Sequence, residues 1–119
     1  MEKDLLISGI ICEFNPLHNG HRHILGQMHK NGLVVCVMSG NFVQRGEPAI
    51  LDKWTRTQLA LENGADLVLE LPLPFATANA ETFAMGGIGI LNALHCTDEL
   101  WCGSECGDMT SLKRISNLL

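Results

Sequence analysis

A chain of 119 residues, 46% apolar and 18% charged, has the size and balance of one folded domain and excludes a disordered tail. Eight Lys and Arg against thirteen Asp and Glu leave a net charge of −5, without the basic excess of a dedicated nucleic-acid-binding domain, so any grip on RNA is expected elsewhere or in a local patch. No apolar run approaches the roughly 18–20 residues that cross a bilayer, and Met1-Glu2-Lys3-Asp4 lacks the positive start of a signal peptide, so a cytoplasmic protein without membrane contact is expected.

In chain order, Leu5 to Cys12 is nearly unbroken apolar, as a strand covered on both faces would be. His21, Ile24, Leu25 and Met28 then recur at helical spacing, with Gly32 just beyond as a stop. Leu33 to Met38 reads as a second buried strand, followed by a long loop from Ser39 to Asp52 rich in Gly, Asn and Pro. Asp52 is a candidate N-cap for a helix from Lys53 to Asn63, which Gly64 ends. Leu67-Val68-Leu69 forms a third short strand, closed by Pro72 and Pro74. Ala80, Phe83, Ala84, Gly87, Ile88, Leu91 and Leu94 mark one face of a longer helix. Glu99 to Cys102 gives a fourth strand, and Asp108 caps a last helix with Met109, Leu112, Ile115 and Leu119 on one side.

Strands alternating with helices imply parallel strands and right-handed crossovers, hence an α/β, Rossmann-like doubly wound parallel sheet. Four strands make a small sheet, and the helical pattern still runs at Leu118-Leu119. The expectation is one domain over residues 1–119, incomplete at its C-terminus: the N-terminal part of a larger enzyme, or a short relative of one. The five cysteines (Cys12, Cys36, Cys96, Cys102 and Cys106) are odd in number and argue against a disulfide framework. Cys12 and Cys36 lie in apolar runs and read as small buried hydrophobes.

In an open parallel sheet, ligands bind beyond the carboxyl ends of the strands, near helix N-termini. The first such place reads Glu13-Phe14-Asn15-Pro16-Leu17-His18-Asn19-Gly20-His21. Pro16 stiffens the turn, Asn15 can supply a side-chain hydrogen bond, and Gly20 lets backbone approach a phosphate closely. The helix that starts here offers unpaired N–H groups and a positive dipole end to an anion. His18 and His21, three apart, can donate to phosphate oxygens as charge builds during attack on an α-phosphate. A metal is the rival reading because His18, His21 and His23 are close together. Zinc prefers histidines four apart on a helix, or a supporting Cys or carboxylate, so no metal site is expected.

The His18-x-Gly20-His21 turn resembles the H-x-G-H signature of the nucleotidyltransferase superfamily. More narrowly, Glu13 to His21, Met38-Ser39-Gly40-Asn41-Phe42-Val43-Gln44-Arg45-Gly46-Glu47-Pro48 and Cys102-Gly103-Ser104-Glu105-Cys106-Gly107 resemble the bacterial tRNA(Met) cytidine acetate ligase family. That resemblance implies an ATP-dependent ligase. It would convert acetate to acetyl-adenylate with release of pyrophosphate, then acetylate N4 of the wobble cytidine of elongator tRNA(Met). By motif it implies His18 and His21 as catalytic residues. It also implies a nucleotide pocket of Ile11, Cys12, Glu13, Phe14, Asn15, Pro16, Leu17, His18, Asn19, Gly20, His21, Arg22, His23 and Ile24, with Gly103 facing the nucleotide from the end of the fourth strand. The family's further nucleotide-binding Asn and Arg residues, and its serine-threonine-arginine motif, fall past Leu119. Phe14 and Leu17 stand where the family often has other aromatics, a change of packing. ATP and acetate are the implied substrates, with Mg2+ expected to accompany ATP. tRNA would be gripped mainly by regions outside this chain, and the sequence does not set an oligomeric state.

Two other readings stay open: a different adenylyltransferase of the same fold that makes a coenzyme or dinucleotide precursor, and a non-catalytic nucleotide-binding module. Arg45 is a candidate substrate-binding residue for phosphate or tRNA, or else a solvated loop arginine. Glu105 is a candidate general base or substrate-orienting group, or else an ordinary loop carboxylate. Lys53 and Arg56 open a helix against its dipole, which hints at a phosphate partner or at pairing with Asp52. His95-Cys96, Cys102 and Cys106 suggest zinc only weakly, since Cys102-x-x-x-Cys106 is wider than the usual spacing. Gly86-Gly87-Ile88-Gly89 fits close helix-to-sheet packing better than a dinucleotide loop, and neither a Walker lysine motif nor a G-x-S-x-G elbow is present.

Overall fold

The computed structural model describes residues 5–101. Along them run β1 (Leu6–Cys12), α1 (Asn19–Asn31), β2 (Gly32–Ser39), a 3-10 turn at Gln44–Gly46, α2 (Lys53–Glu62), β3 (Leu67–Leu71), α3 (Leu73–Ala76), α4 (Ala80–Ala93) and β4 (Glu99–Trp101). The strands form one sheet in the order β3-β2-β1-β4, and every neighbouring pair is parallel. The expected α/β parallel architecture is therefore the observed one. Strand order reverses at β1, which has β2 on one side and β4 on the other. The crevice outside the carboxyl ends of β1 and β4 is thus the switch point where open α/β sheets take ligands.

Apolar residues on both faces of each strand explain why the sheet is sandwiched. On one face, Ile10 and Cys12 of β1 lie beside Cys36 and Met38 of β2. They pack with Ile24, Leu25 and Met28 of α1 and Ala60 of α2. On the other face, Val35, Val37, Leu71 and Leu100 pack with Ala76 of α3 and Phe83 and Leu91 of α4. Two aspartates pin the strand entries. Asp66 Oδ2 accepts from Val34 N–H at 2.8 Å, and Asp98 Oδ2 accepts from Ile7 N–H at 2.8 Å.

The helices end where the sequence signals place their ends. Gly32 at φ 148° both caps α1 and opens β2, and a Cβ there would run into the backbone of Leu6. Asp52 caps α2, accepting from Thr55 N–H at 2.7 Å. A Cβ on Gly87 of α4 would sit 2.5 Å from Ile11 of β1, so helix and sheet meet at van der Waals distance only because that position is glycine. The structure adds two elements to the sequence reading, the 3-10 turn inside the Ser39 to Asp52 loop and α3. β3 runs on to Leu71, and the prolines that close it start α3, with Pro72 as N-cap and Pro74 in the first turn. Proline has no N–H to lose there. The fourth strand is described to Trp101; Cys102 and the helix expected after Asp108 lie outside the described residues.

Candidate functional site

β1 delivers Glu13 to His18 directly onto the carboxyl edge of the sheet. Phe14 turns into the core with φ 48° and 2% of its surface exposed. A left-handed phenylalanine costs about 1–3 kcal/mol and persists only where its surroundings impose it; the buried ring supplies part of that constraint. The Asn15–Pro16 peptide is cis. Asn15 Oδ1 accepts from Ile50 N–H at 2.7 Å, and Glu13 Oε2 accepts from Gln44 N–H at 2.9 Å. The β1 exit and the loop after β2 are therefore tied together.

His18 is the N-cap of α1. Its Nδ1 accepts from Gly20 N–H at 3.1 Å, while His21 Nδ1 accepts from His18 N–H at 3.2 Å. The two rings stack with centroids 3.7 Å apart, and Phe14 lies 4.9 Å from His21 on its tilted side. An Nδ1 that accepts leaves the neutral ring's proton on Nε2, so each neutral imidazole presents an N–H donor from its far edge. Burial, helped by the neighbouring His18, lowers the His21 pKa to about 4, so this ring is uncharged near neutral pH. The first turn of α1 carries no acidic residue, whereas its last turn carries His29 and Lys30. The negative end of the helix dipole is complemented by the protein and the positive end is left for an anion.

A third contributor comes from α2. Arg56 is fully buried, and its guanidinium donates to backbone carbonyls: Nε to Leu51 at 3.0 Å, Nη1 to Glu13 at 2.7 Å and to Ser39 at 3.0 Å, and Nη2 to Gly40. Burial pulls its pKa down, while Cys12, Glu13, Asp52 and Glu70 pull it back up. The structure gives Lys53 and Arg56 partners other than Asp52. Arg56 is spent on carbonyls rather than on a phosphate or on an Asp52 ion pair, and Lys53 Nζ pairs with Glu70 Oε1 at 2.8 Å. The missed signal was spacing, since Arg56 and Ala60 are the buried positions of α2, four apart on its inner face.

Of the residues read as a nucleotide pocket, Cys12, Phe14 and Ile24 are buried core side chains, and Ile11 packs in the opposite layer. Glu13 and Asn15 spend their side chains on loop ties. Pro16, His18, Asn19, Arg22 and His23 are exposed, and Leu17, Gly20 and His21 are partly so. Arg45 is exposed at the tip of the β2–α2 loop with φ 70°, next to Gly46 at φ 73°, and one residue from the Gln44 anchor on Glu13. Gly103 and Glu105 lie outside the described residues. Two small clefts of about 200 and 220 Å³ flank the Lys53–Glu70 pair on the β2–β3 side, away from the switch point. Both are below the roughly 300 Å³ usual for a ligand pocket.

A family model described as HIGH Nucleotidyl Transferase matches residues 5–119. The chain is 52% identical over 116 residues to the tRNA(Met) cytidine acetate ligase of Clostridium perfringens, covering 95% of this chain and 29% of that protein. It is 53% identical to the enzyme of the same name from Acetivibrio thermocellus, covering 95% of this chain and 28% of that one. A crystal structure of Thermotoga maritima TmcAL bound with alpha-thio ATP matches with a TM-score of 0.80 at 44% identity, over 87% of this chain and 26% of that one. The chain spans less than a third of the length of the curated relatives it matches.

Proposed function

We propose, from the fact that this chain belongs to the HIGH nucleotidyl transferase family, that it forms the ATP-binding part of a ligase that activates acetate and transfers it to a tRNA cytidine. The single observation that carries this is the pair of stacked imidazoles at the start of α1, each with Nδ1 engaged, at the switch point of a parallel sheet. Their Nε2–H groups and the positive end of α1 suit a triphosphate. In the first step a carboxylate oxygen of acetate attacks the α-phosphorus, the bond to pyrophosphate breaks, and pyrophosphate departs with its electron pair. Donors fixed in place stabilise the charge that gathers on the phosphate oxygens, an effect worth about 2.7–4 kcal/mol per donor in comparable sites. In the second step N4 of the cytidine attacks the acetyl carbon, AMP leaves, and the amine loses a proton.

Relatives named tRNA(Met) cytidine acetate ligase support the choice of acetate and tRNA over a coenzyme precursor as acceptor. The acidic balance of the chain fits a tRNA grip supplied mainly from elsewhere, and action on tRNA fits a cytoplasmic protein. Among the described residues no helix is long and apolar enough to cross a membrane. Those residues also offer no cluster of His, Cys, Asp or Glu to hold a metal, and Glu13 is committed to Gln44. Magnesium bound to the nucleotide would offset the phosphate charge. Acetate-dependent exchange of labelled pyrophosphate into ATP tests the reading, in a protein joining this chain to the further length its relatives carry. Exchange that needs acetate supports it; exchange driven instead by a phosphorylated acceptor, or none at all, contradicts it.

A further inference from the structure

We propose that Arg56 is a positioning residue: from α2 it fixes the backbone at the exits of β1 and β2, and so sets the tilt of His21, without touching the nucleotide. The inference rests on the reading that the His18-x-Gly20-His21 turn receives the triphosphate. The path is short. Arg56 Nη1 holds the Glu13 carbonyl at 2.7 Å; the next residue, Phe14, is left-handed, and its ring lies 4.9 Å from that of His21. The same guanidinium holds Ser39 and Gly40 at the end of β2 and Leu51 at the end of the following loop. One side chain thus joins the separate segments that frame the site.

Packing alone does not call for a cation here. Ala60, one turn further along the same face of α2, is apolar and equally buried. Every described hydrogen-bond partner of Arg56 is a backbone carbonyl rather than a carboxylate. Burying a charge whose carboxylates lie farther off, with none bonded to it, is unfavourable for stability. Its carbonyl fork instead fixes directions, which a lysine's point charge would not do.

The test compares Arg56→Lys and Arg56→Met with the unmodified protein, again including the length its relatives carry beyond this chain. Acetate-dependent pyrophosphate exchange gives kcat, and calorimetry with a non-hydrolysable ATP analogue gives Kd, at a temperature where circular dichroism shows each variant folded. Misplacement of about 1 Å costs up to about 100-fold in rate, so kcat is expected to fall about 10- to 100-fold, more for Met than for Lys. The analogue Kd is expected to change less than about threefold, the split that separates positioning from uniform binding. A folded variant with unchanged kcat, or one losing kcat and affinity in proportion, overturns the proposal. An unmodified protein without exchange overturns the functional reading and the proposal with it, and so is told apart from failure of the proposal alone. Should neither variant fold, the Arg56 Nε–H resonance of the unmodified protein decides. A slowly exchanging signal that shifts when the analogue binds supports the proposal, and one that does not respond overturns it.

Discussion

Replacing His18 separates two jobs that one ring performs. Its Nδ1 caps α1 by accepting from Gly20 N–H at 3.1 Å, while its Nε2 is the proposed phosphate donor. Asparagine reproduces the acceptor one bond from Cγ but has nothing where Nε2 stands, and it is among the best N-caps. His18→Asn and His18→Ala both lose the stack on His21, centroid distance 3.7 Å, which is worth about 0.5–1.5 kcal/mol. Only His18→Ala also loses the cap, a further ~1 kcal/mol. The two variants should therefore differ by ~1 kcal/mol in urea unfolding, or about 4–8 °C in Tm for a domain near this size. Activity should not follow stability. Both variants lack the donor, so both should lose about 100- to 1000-fold in kcat for pyrophosphate exchange, within a few-fold of each other. An asparagine variant that retains near-normal exchange would show that the imidazole is a helix cap and nothing more.

The other expectations concern charge and packing. His21 titrates at about 4 in the folded chain against an ordinary 6.5, so the unfolded chain takes up this proton first. Its contribution to stability is complete above pH 6.5 and fades as pH falls towards 4. Histidine proton titration by NMR checks this, and a His21 signal turning over near its ordinary value would refute it. Gly87→Ala puts a methyl 2.5 Å from Ile11, which should cost about 1–3 kcal/mol in denaturant unfolding; an unchanged midpoint would mean that α4 does not press on β1 as described. Lys53→Met breaks a partly exposed pair with Glu70 and should shift stability by less than about 1 kcal/mol, a change that vanishes in high salt. A larger, salt-insensitive loss would argue against that assignment.

Much of the fold was legible because its signals are local. Unbroken apolar runs gave β1 and β2, Asp52 and Gly64 bounded α2, and Gly87 marked a close helix-to-sheet approach. The short helix after Pro72 was not legible, since two prolines read equally as a strand stop and as a helix start. At the site, the His18-x-Gly20-His21 turn could be found from residue types and position, but its tautomers could not. They follow from the backbone amides of His18 and Gly20, which sequence does not place. In the sequence, Arg56 stands out only as a charge opposing a helix dipole. Its burial depends on Glu13, Ser39, Gly40 and Leu51 converging from distant parts of the chain.

The location of the triphosphate is tested most directly by titrating isotope-labelled protein with alpha-thio ATP and following backbone and imidazole signals by NMR. The account predicts that the amides of Asn19, Gly20 and His21 and the Nε2 protons of His18 and His21 move first and farthest. If those signals stay still while Lys53, Thr57 and Leu73 around the two small clefts respond, the account is contradicted.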